Sequence, residues 1–397
     1  MIYLAVICFV LLLYSYAGFP LLILLLARVR PRPWKTDETT RPTVSILLPV
    51  FNEELILRRC LSALVDQRYP SERIEILCGS DGSTDASNSI LEEFAAKHSW
   101  IHPILFPRQR GKMFVLNDLV RMAQHEILFF SDADVTLSSD AIASHLSNYA
   151  DTSVGGVTGP LVFATNRLDG TAASEFGFLS MENTLRRAEA LVYSTTGFYG
   201  CNWSMRRSLW KELPSQKTCD DFFAYLAVVD RGKRLVFDER AVATEIYGRS
   251  AEDEFSRKTR YAARSLDAVS HFPRLLYSWP AAAFIWPRKL MRWLGFIPAT
   301  LLVVAGFVGL ARGEMWSYGL LALETLVLLL AFVGWLARGR SRSIPVASIM
   351  YWFLQMNLAF VRGAYEFVFS KQDLIWSQTT RISDSTVAAI RPEVHRP

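Results

Sequence analysis

The sequence predicts an α/β domain built on a mostly parallel, Rossmann-like sheet and joined to α-helical transmembrane segments. Two successive stretches read strand, polar loop, helix. A third apolar run, Ile127-Leu128-Phe129-Phe130, stops at the carboxylates Asp132 and Asp134, and long apolar runs stand at both ends of the chain. Repeated strand–loop–helix units form right-handed parallel sheets, and ligands of such sheets gather at the carboxyl ends of the strands.

With 397 residues, 51% hydrophobic and only 20% charged, the chain has apolar material for one sizeable core and several membrane segments besides. Residues 1–27 are apolar throughout and reach the ~20 residues that a bilayer crossing needs, with Pro20 as the expected kink. Arg28, Arg30, Arg32 and Lys35 follow in a basic linker, 28–42. The positive-inside rule then predicts an uncleaved N-out, C-in anchor in the plasma membrane and a cytoplasmic domain after it. Five cysteines without CxxC or zinc spacing fit buried residues of a reducing compartment. The net charge of +5 sits largely beside the membrane segments, which points to membrane lipids and not to nucleic acid.

The soluble region, 43–272, starts with a strand over 43–48 closed by Pro49, a loop over 50–54, and a helix over 55–67 whose apolar face is Leu57, Cys60, Leu61 and Leu64. A second unit gives a strand over 73–78, a loop over 79–85 and a helix over 86–98. Glu53 and Asp81 end neighbouring strands and so face the same crevice as Asp132 and Asp134. Two carboxylates at i, i+2 offer oxygen ligands that suit Mg²⁺ or Mn²⁺, and that cation suits a diphosphate. By themselves they serve equally well as cap and turn residues before the next helix. Asp81 has the geometry to accept from a base imide, although Asp-Gly is also an ordinary turn. Lys112 offers phosphate a point charge, or is simply an exposed lysine after a turn glycine.

Further on, 155–163 reads as a strand, antiparallel or at an edge because of Pro160, and 175–193 as a helix. An aromatic, glycine-bearing loop over 197–207 contains Trp203, for which core packing is the alternative to ligand contact. Asp220 and Asp221 precede an apolar helix, where the dipole favours carboxylates and where they could equally be caps. Arg257, Arg260, Tyr261 and Arg264 form a basic helical stripe, a pattern usual for a surface that faces headgroups. Residues 273–293 mix Trp279, Phe284, Trp286 and Trp293 with Arg288, Lys289 and Arg292, as interfacial amphipathic helices do. Spanning helices are expected over 294–310 and 316–336, with Arg338, Arg340 and Arg342 returning the chain to the cytoplasm. Within 344–369, Arg362 leaves open whether that stretch spans, and 371–397 form a tail.

Pro49-Val50-Phe51-Asn52-Glu53-Glu54, Ser80-Asp81-Gly82-Ser83-Thr84-Asp85, Arg110-Gly111-Lys112 with Asn117, and Ser131-Asp132-Ala133-Asp134, in this order and spacing, resemble family 2 glycosyltransferases of the GT-A fold over residues 43–265. The resemblance implies that Pro49, Asn52, Glu53, Asp81, Lys112, Asp132 and Arg260 bind a nucleotide-sugar donor, by family habit a UDP-sugar. It implies further that Asp132 and Asp134 hold Mg²⁺ or Mn²⁺, and that Asp221 is the general base of an inverting transfer. The acceptor implied is a lipid or a growing polysaccharide. Polymer-forming members carry Gln-x-x-Arg-Trp where this chain has Arg257 and Tyr261 around Arg260, a departure that leans away from polymerisation. Trp376-Ser377-Gln378-Thr379-Thr380-Arg381 resembles an element after the last helix of similar membrane transferases. The reading outside this class is a membrane scaffold or transport component that binds nucleotide sugar without catalysis.

Overall fold

The computed structural model describes residues 1–164, 170–246, 251–337 and 344–369. Helices α1 (Ile2–Leu13) and α2 (Phe19–Val29) are joined by a π turn, Tyr14–Gly18, into one apolar helix of 28 residues. The irregularity expected at Pro20 takes the form of this π turn just before it, and the helix continues through the proline. Pro20 falls in the first turn of α2, where a missing N–H costs little, and the wider π turn just before it takes up the mismatch.

The main α/β unit follows in chain order: β1 (Val44–Val50), α3 (Glu54–Val65), β2 (Ile74–Asp81), α4 (Ser87–Lys97), β3 (Ile101–Phe106), α5 (Lys112–Met122) and β4 (Ile127–Ser131). β1, β2 and β4 are buried along their whole length, as strands covered on both faces must be. Two boundaries differ from the sequence reading. Pro49 lies inside β1, opposite Gly79, because β4 pairs with β1 only as far as Leu47, so no partner there needs the proline's missing donor. Gly79, Ser80 and Asp81 belong to β2 and not to a loop. Gly79 is required by close packing, since a Cβ there would stand 2.6 Å from Val115 Cγ1 of α5. Strand β3, with Pro103 in it, has no counterpart in the sequence reading and forms the sheet edge, the place where proline is tolerated.

The chain continues through β5 (Val135–Leu137), α6 (Ala141–Ser147), β6 (Val154–Thr158), β7 (Leu161–Ala164), α7 (Gly170–Val192), β8 (Asn202–Arg206), α8 (Asp220–Asp230), β9 (Arg234–Phe237), β10 (Ala243–Ile246) and α9 (Ala251–Ser270). The main sheet has the order β3-β2-β1-β4-β8-β6-β9, with β8 antiparallel to both neighbours, and a small sheet β5-β10-β7 stands beside it. The single strand expected over 155–163 is therefore two strands in two sheets, broken at Gly159-Pro160, where a Cβ on Gly159 would collide with the Ala241 carbonyl. The first of them, β6, is interior to its sheet. The aromatic loop expected over 197–207 is half strand, β8. Trp203 is fully buried, stacked on Phe130 at 3.7 Å and packed on Phe198, so core packing is its role.

Two apolar layers flank the sheet. One joins Ile46, Leu48, Leu57, Leu61 and Ile76; the other joins Leu47, Leu116, Phe130, Trp203 and Phe222. The second layer does not stop at the soluble domain: Ala281, Ile285, Leu290 and Trp293 belong to it. These come from α10 (Ala281–Ile285), a π turn (Trp286–Leu290) and α11 (Met291–Trp293), after which α12 (Phe296–Ala311) departs at 60°. The basic side chains of this segment were expected at headgroups. Instead Arg288 and Lys289 are buried against the domain, and Trp279 and Trp286 are exposed.

Residues 2–29 and α13 (Met315–Ala337) are long and apolar enough to cross a membrane, and the bent pair 281–293 with α12 is a third candidate, by length and composition. The last described helix, α14 (Pro345–Phe369), packs on α13 through Gly334 and Ala347 and on α9 through Gly363, and Phe360 touches the second apolar layer. The basic triplet Arg338, Arg340, Arg342 and the 376–381 element lie outside the described residues.

A Cβ on Gly363 would sit 2.7 Å from Ala262 Cβ and 2.8 Å from the Thr259 carbonyl. Gly363→Leu is expected to pry α14 from α9 and cost about 1–3 kcal/mol, read as a lower unfolding temperature of the purified protein, whereas Gly319→Leu, at a glycine with open space around it, should leave that temperature unchanged.

Candidate active site

The loops that follow β1 and β2 are tied to each other before any ligand arrives. Asn52 takes a left-handed conformation (φ 53°), which asparagine tolerates, and its Oδ1 accepts the Thr84 N–H at 2.8 Å. Ser83 Oγ accepts the Asn52 N–H at 3.1 Å, and Glu54 and Asp85 exchange bonds with each other's segments. Glu53 is buried, and its N–H donates to Ser87 Oγ at 2.8 Å. Pro49 is buried in the strand just before this loop.

Asp81 is fully buried at the end of β2, with one carboxylate oxygen accepting the Arg110 N–H at 2.8 Å and the other the Gly111 N–H at 2.7 Å. The acid thus fixes the start of α5 and still has acceptor capacity on each oxygen. Gly111 has φ 101°, and a Cβ there would strike the Gln216 amide, so a side chain is excluded on two counts.

Lys112, the next residue, is not the exposed lysine of the bland reading. Its ammonium lies 2.8 Å from Asp132 Oδ1 and 3.0 Å from Asp220 Oδ2. Burial opposes its charge, yet the two carboxylates outweigh burial and hold its pKa well above the usual lysine value. Asp132 feels the opposite balance. Burial, with Asp134 and Asp220 adding to it against the pull of Lys112, pushes its carboxyl up to about 6. On α8, Asp221 is buried and accepts a Cys219 S–H bond at 2.8 Å, and burial together with Asp220 pushes it up to about 6, against the pull of Cys219, Lys289 and Lys112.

One continuous path of contacts therefore runs from Asp81 through Gly111 and Lys112 to Asp132 and Asp220, with Asp221 next to Asp220. Asp134 is half-buried on the turn between β4 and β5. Glu245 of β10, opposite Val135, places a further buried carboxylate beside that turn, and it acts with Asp132 and Asp134 to raise the Cys201 thiol. Nothing in the sequence pattern singled out Glu245, because a strand acid is usually solvated and only the β5–β10 pairing brings it here. Arg260 sits on α9 one turn before Arg264, whose carbonyl accepts the Cys219 N–H at 3.2 Å. The basic stripe of α9 does not simply face headgroups: Arg257 pairs with Glu254 at 2.8 Å, and Tyr261 packs against Trp293.

Asp132 and Asp220 pair with the half-buried Lys112 ammonium, Asp134 and Asp221 stand next to them, and burial first, then the neighbouring acids, raises Asp132 and Asp221. A divalent cation between the Asp132–Asp134 turn and a diphosphate fits that donor set of hard oxygens. The Sγ and carboxylate oxygens of Cys219, Asp220 and Asp221 also approach within 4.8 Å of one another, but Asp220 is already taken by Lys112.

Residues 45–213 match the family model Glycosyl transferase family 2. A glycosyltransferase of Haloferax volcanii is 29% identical over 145 residues, 36% of this chain and 47% of that protein. A beta-monoglucosyldiacylglycerol synthase of Nostoc is 30% identical over 131 residues, 32% of this chain and 28% of that protein. The matches thus span less than half the length of these relatives. A mannosyltransferase of Pyrobaculum calidifontis, solved with GDP-Man and Mn²⁺, shares the fold with a TM-score of 0.70 over 93% of this chain and 100% of its own, at 21% identity.

The Asp221 carboxyl, raised from 3.8 to about 6, binds its proton more tightly in the fold than in the unfolded chain. Its contribution to stability is therefore complete below pH about 4 and is lost as the pH rises through about 6. Asp221→Asn is expected to remove that part of the pH dependence, so that the unfolding temperature of the ligand-free variant falls less steeply between about pH 4 and pH 7 than that of the parent, as thermal unfolding across this range will show.

Proposed function

We propose that this chain, which carries a Glycosyl transferase family 2 domain on a GT-A fold, moves a sugar from a nucleotide-sugar donor to an acceptor that arrives from the membrane. The observation that carries this reading is the pair of ion pairs made by Lys112. They join Asp132, just after β4, to the Asp220–Asp221 pair that opens α8, while Asp81 of β2 grips the two N–H groups just before Lys112, an arrangement that supports one pocket for donor and base. In this reading Glu53 and Asp81 face the nucleobase, Asp81 having spare lone pairs for an imide N–H. Pro49 and Asn52 shape the loop that meets the nucleotide, Lys112 meets phosphate, and Arg260 approaches the diphosphate from α9. Asp132 and Asp134 would hold Mg²⁺ or Mn²⁺, which when bound supplies charge neutralisation for the leaving diphosphate.

Asp221 takes the proton from the acceptor hydroxyl. The acceptor oxygen bonds to the anomeric carbon while the bond from that carbon to the phosphate oxygen breaks on the opposite face, which inverts the centre without a covalent intermediate. A carboxyl poised near 6 is ionised at neutral pH and remains basic enough for the task. Gly200 supports the assignment, because it lies against Asp221 with no side chain; a Cβ there would be 3.3 Å from Oδ2. The basic residues after α2 support a cytoplasmic face for the pocket.

For the acceptor, a single transfer to a lipid is favoured over polymerisation. Tyr261, at the position of the tryptophan in polymer-forming members, is turned to Trp293 and to the Lys289 ammonium at 3.1 Å. For the donor, a UDP-sugar follows from the resemblance, and the GDP-Man of the structural neighbour makes GDP-mannose its first competitor. A donor screen with Mn²⁺ and lipid acceptor should release nucleoside diphosphate and give a product with one added sugar. Asp221→Asn should lower turnover about 10³-fold or more while donor binding persists, and Asp134→Asn should weaken donor binding measured with Mn²⁺. A scaffold that only binds nucleotide sugar would be indifferent to the Asp221 change.

A further inference from the structure

Lys289 is the residue whose chemistry no part of this reading uses. It lies on the π turn Trp286–Leu290, a helical irregularity often found at functional sites, and is 7% exposed. Its ammonium donates to Tyr261 Oη at 3.1 Å and stands 5.3 Å, 5.6 Å and 6.0 Å from the ring centres of Phe222, Tyr261 and Trp293. Phe222 is the residue after Asp221. From the other side the ammonium meets the glycine-bearing loop before β8, which by the family resemblance lies under the acceptor and is here the acceptor loop, since a Cβ on Gly197 would be 3.5 Å from Nζ.

An ammonium in an aromatic cage is stabilised by the ring faces, but a buried cation of this kind still requires an anion. The anions on the neighbouring elements are shared out unequally. Arg288 binds two acids of α7, bonding Glu189 at 2.6 Å and Glu182 directly, and Arg186 of α7 donates to the Gly197 carbonyl. Glu189 also accepts the Thr196 N–H at 2.9 Å. Glu182 and Glu189 are thereby engaged by Arg288. Asp221 is the carboxylate on Lys289's α8 side, and Asp220 beside it is taken by Lys112.

We propose that Lys289, carried by the membrane-side helix segment, is a positioning residue for Asp221: its ammonium is the counter-charge that holds the base under the acceptor loop. The proposal rests on Asp221 being the base. The groups facing Asp221 are Cys219 and Asp220 on its own helix, Lys112 from α5, Tyr261 from α9 and Lys289 from the π turn, and of the two cations among them Lys112 already has two carboxylates. Those facing Lys289 are Arg186 and Glu189 from α7, Arg288 on its own turn, Tyr261 and Asp221. Tyrosine at 261 suits the pair better than tryptophan, because a phenol oxygen accepts from an ammonium whereas an indole N–H would oppose it. The base is thus wired to the helix through which the chain enters its apolar segments, and transfer depends on that helix being seated.

The test uses the full-length protein in lipid nanodiscs with donor, Mn²⁺ and acceptor, comparing Lys289→Met and Lys289→Arg. Loss of the charge is expected to move the acidic limb of the kcat profile up by about 1 pH unit and so to lower kcat at pH 6.5 about threefold, with donor KM within about twofold of the parent. Lys289→Arg should restore most of the rate and return the limb. In an Asp221→Asn background, Lys289→Met should have no further effect. An unmoved acidic limb in folded Lys289→Met, or equal losses in the Met and Arg variants, overturns the proposal. Full turnover in Asp221→Asn instead overturns the assignment of the base. Should Lys289→Met not fold, Tyr261→Phe removes only the anchoring oxygen; a severalfold lower kcat at constant donor KM supports the proposal, and an unchanged kcat overturns it.

Discussion

The site depends on one buried ammonium standing between two carboxylates from distant parts of the chain. Asp132 ends β4 and Asp220 opens α8, and without Lys112 their charges would face each other across a low-dielectric crevice. Removing one partner of a buried pair leaves an uncompensated charge and typically costs about 3–5 kcal/mol. The ion pairs therefore constrain where α5, β4 and α8 meet. Asp81 sets the other end of the same arrangement by gripping the two N–H groups just before Lys112. The loops that follow β1 and β2, tied by Asn52 and Thr84, are built onto this frame.

Negative charge exceeds positive in the pocket, and that excess costs stability in the ligand-free state. Burial raises Asp132 and Asp221 to about 6. Folding thus preserves a site whose buried carboxyls are least comfortable at neutral pH, as functional pockets that trade stability for charge often do. Cys201 and Cys219 line the same region, with thiols pushed well up by burial and the neighbouring acids, so they behave as small packing residues and not as nucleophiles.

The membrane-side helices are not an appendage. Ile285, Leu290 and Trp293 belong to the same apolar layer as Trp203 and Phe222, and Phe19 and Ile23 of α2 pack with Leu185 of α7 and Phe284 of α10. Ser15 of the first π turn donates to the Pro287 carbonyl of the second at 2.8 Å, so two irregular turns from opposite ends of the chain meet. Arg288, clamped by Glu182 and Glu189, adds a charged lock to this apolar contact. Desolvation makes such a lock a poor source of net stability but a strict determinant of register, since any other seating leaves a charge buried alone.

Much of this was legible in the residues alone. The alternation of strand, acidic loop and helix determined the parallel half of the sheet, and Glu53, Asp81, Asp132 and Asp134 could be placed at its carboxyl edge because strand ends in such sheets face one crevice, whereas Asp221 was singled out only by the family resemblance. Local pattern is sufficient there, since each unit is set by neighbours in sequence. What the sequence left open depends on contacts between distant segments: Pro49 inside a strand because β4 ends early, Gly79 in β2 because Val115 crowds it, and one apolar run divided between two sheets at Gly159. The same holds for the basic residues of 281–293, whose composition suits a lipid surface. Only the packed fold puts Arg288 against two buried glutamates and Lys289 beside Tyr261, because a buried charge is settled by the partner that tertiary structure brings to it.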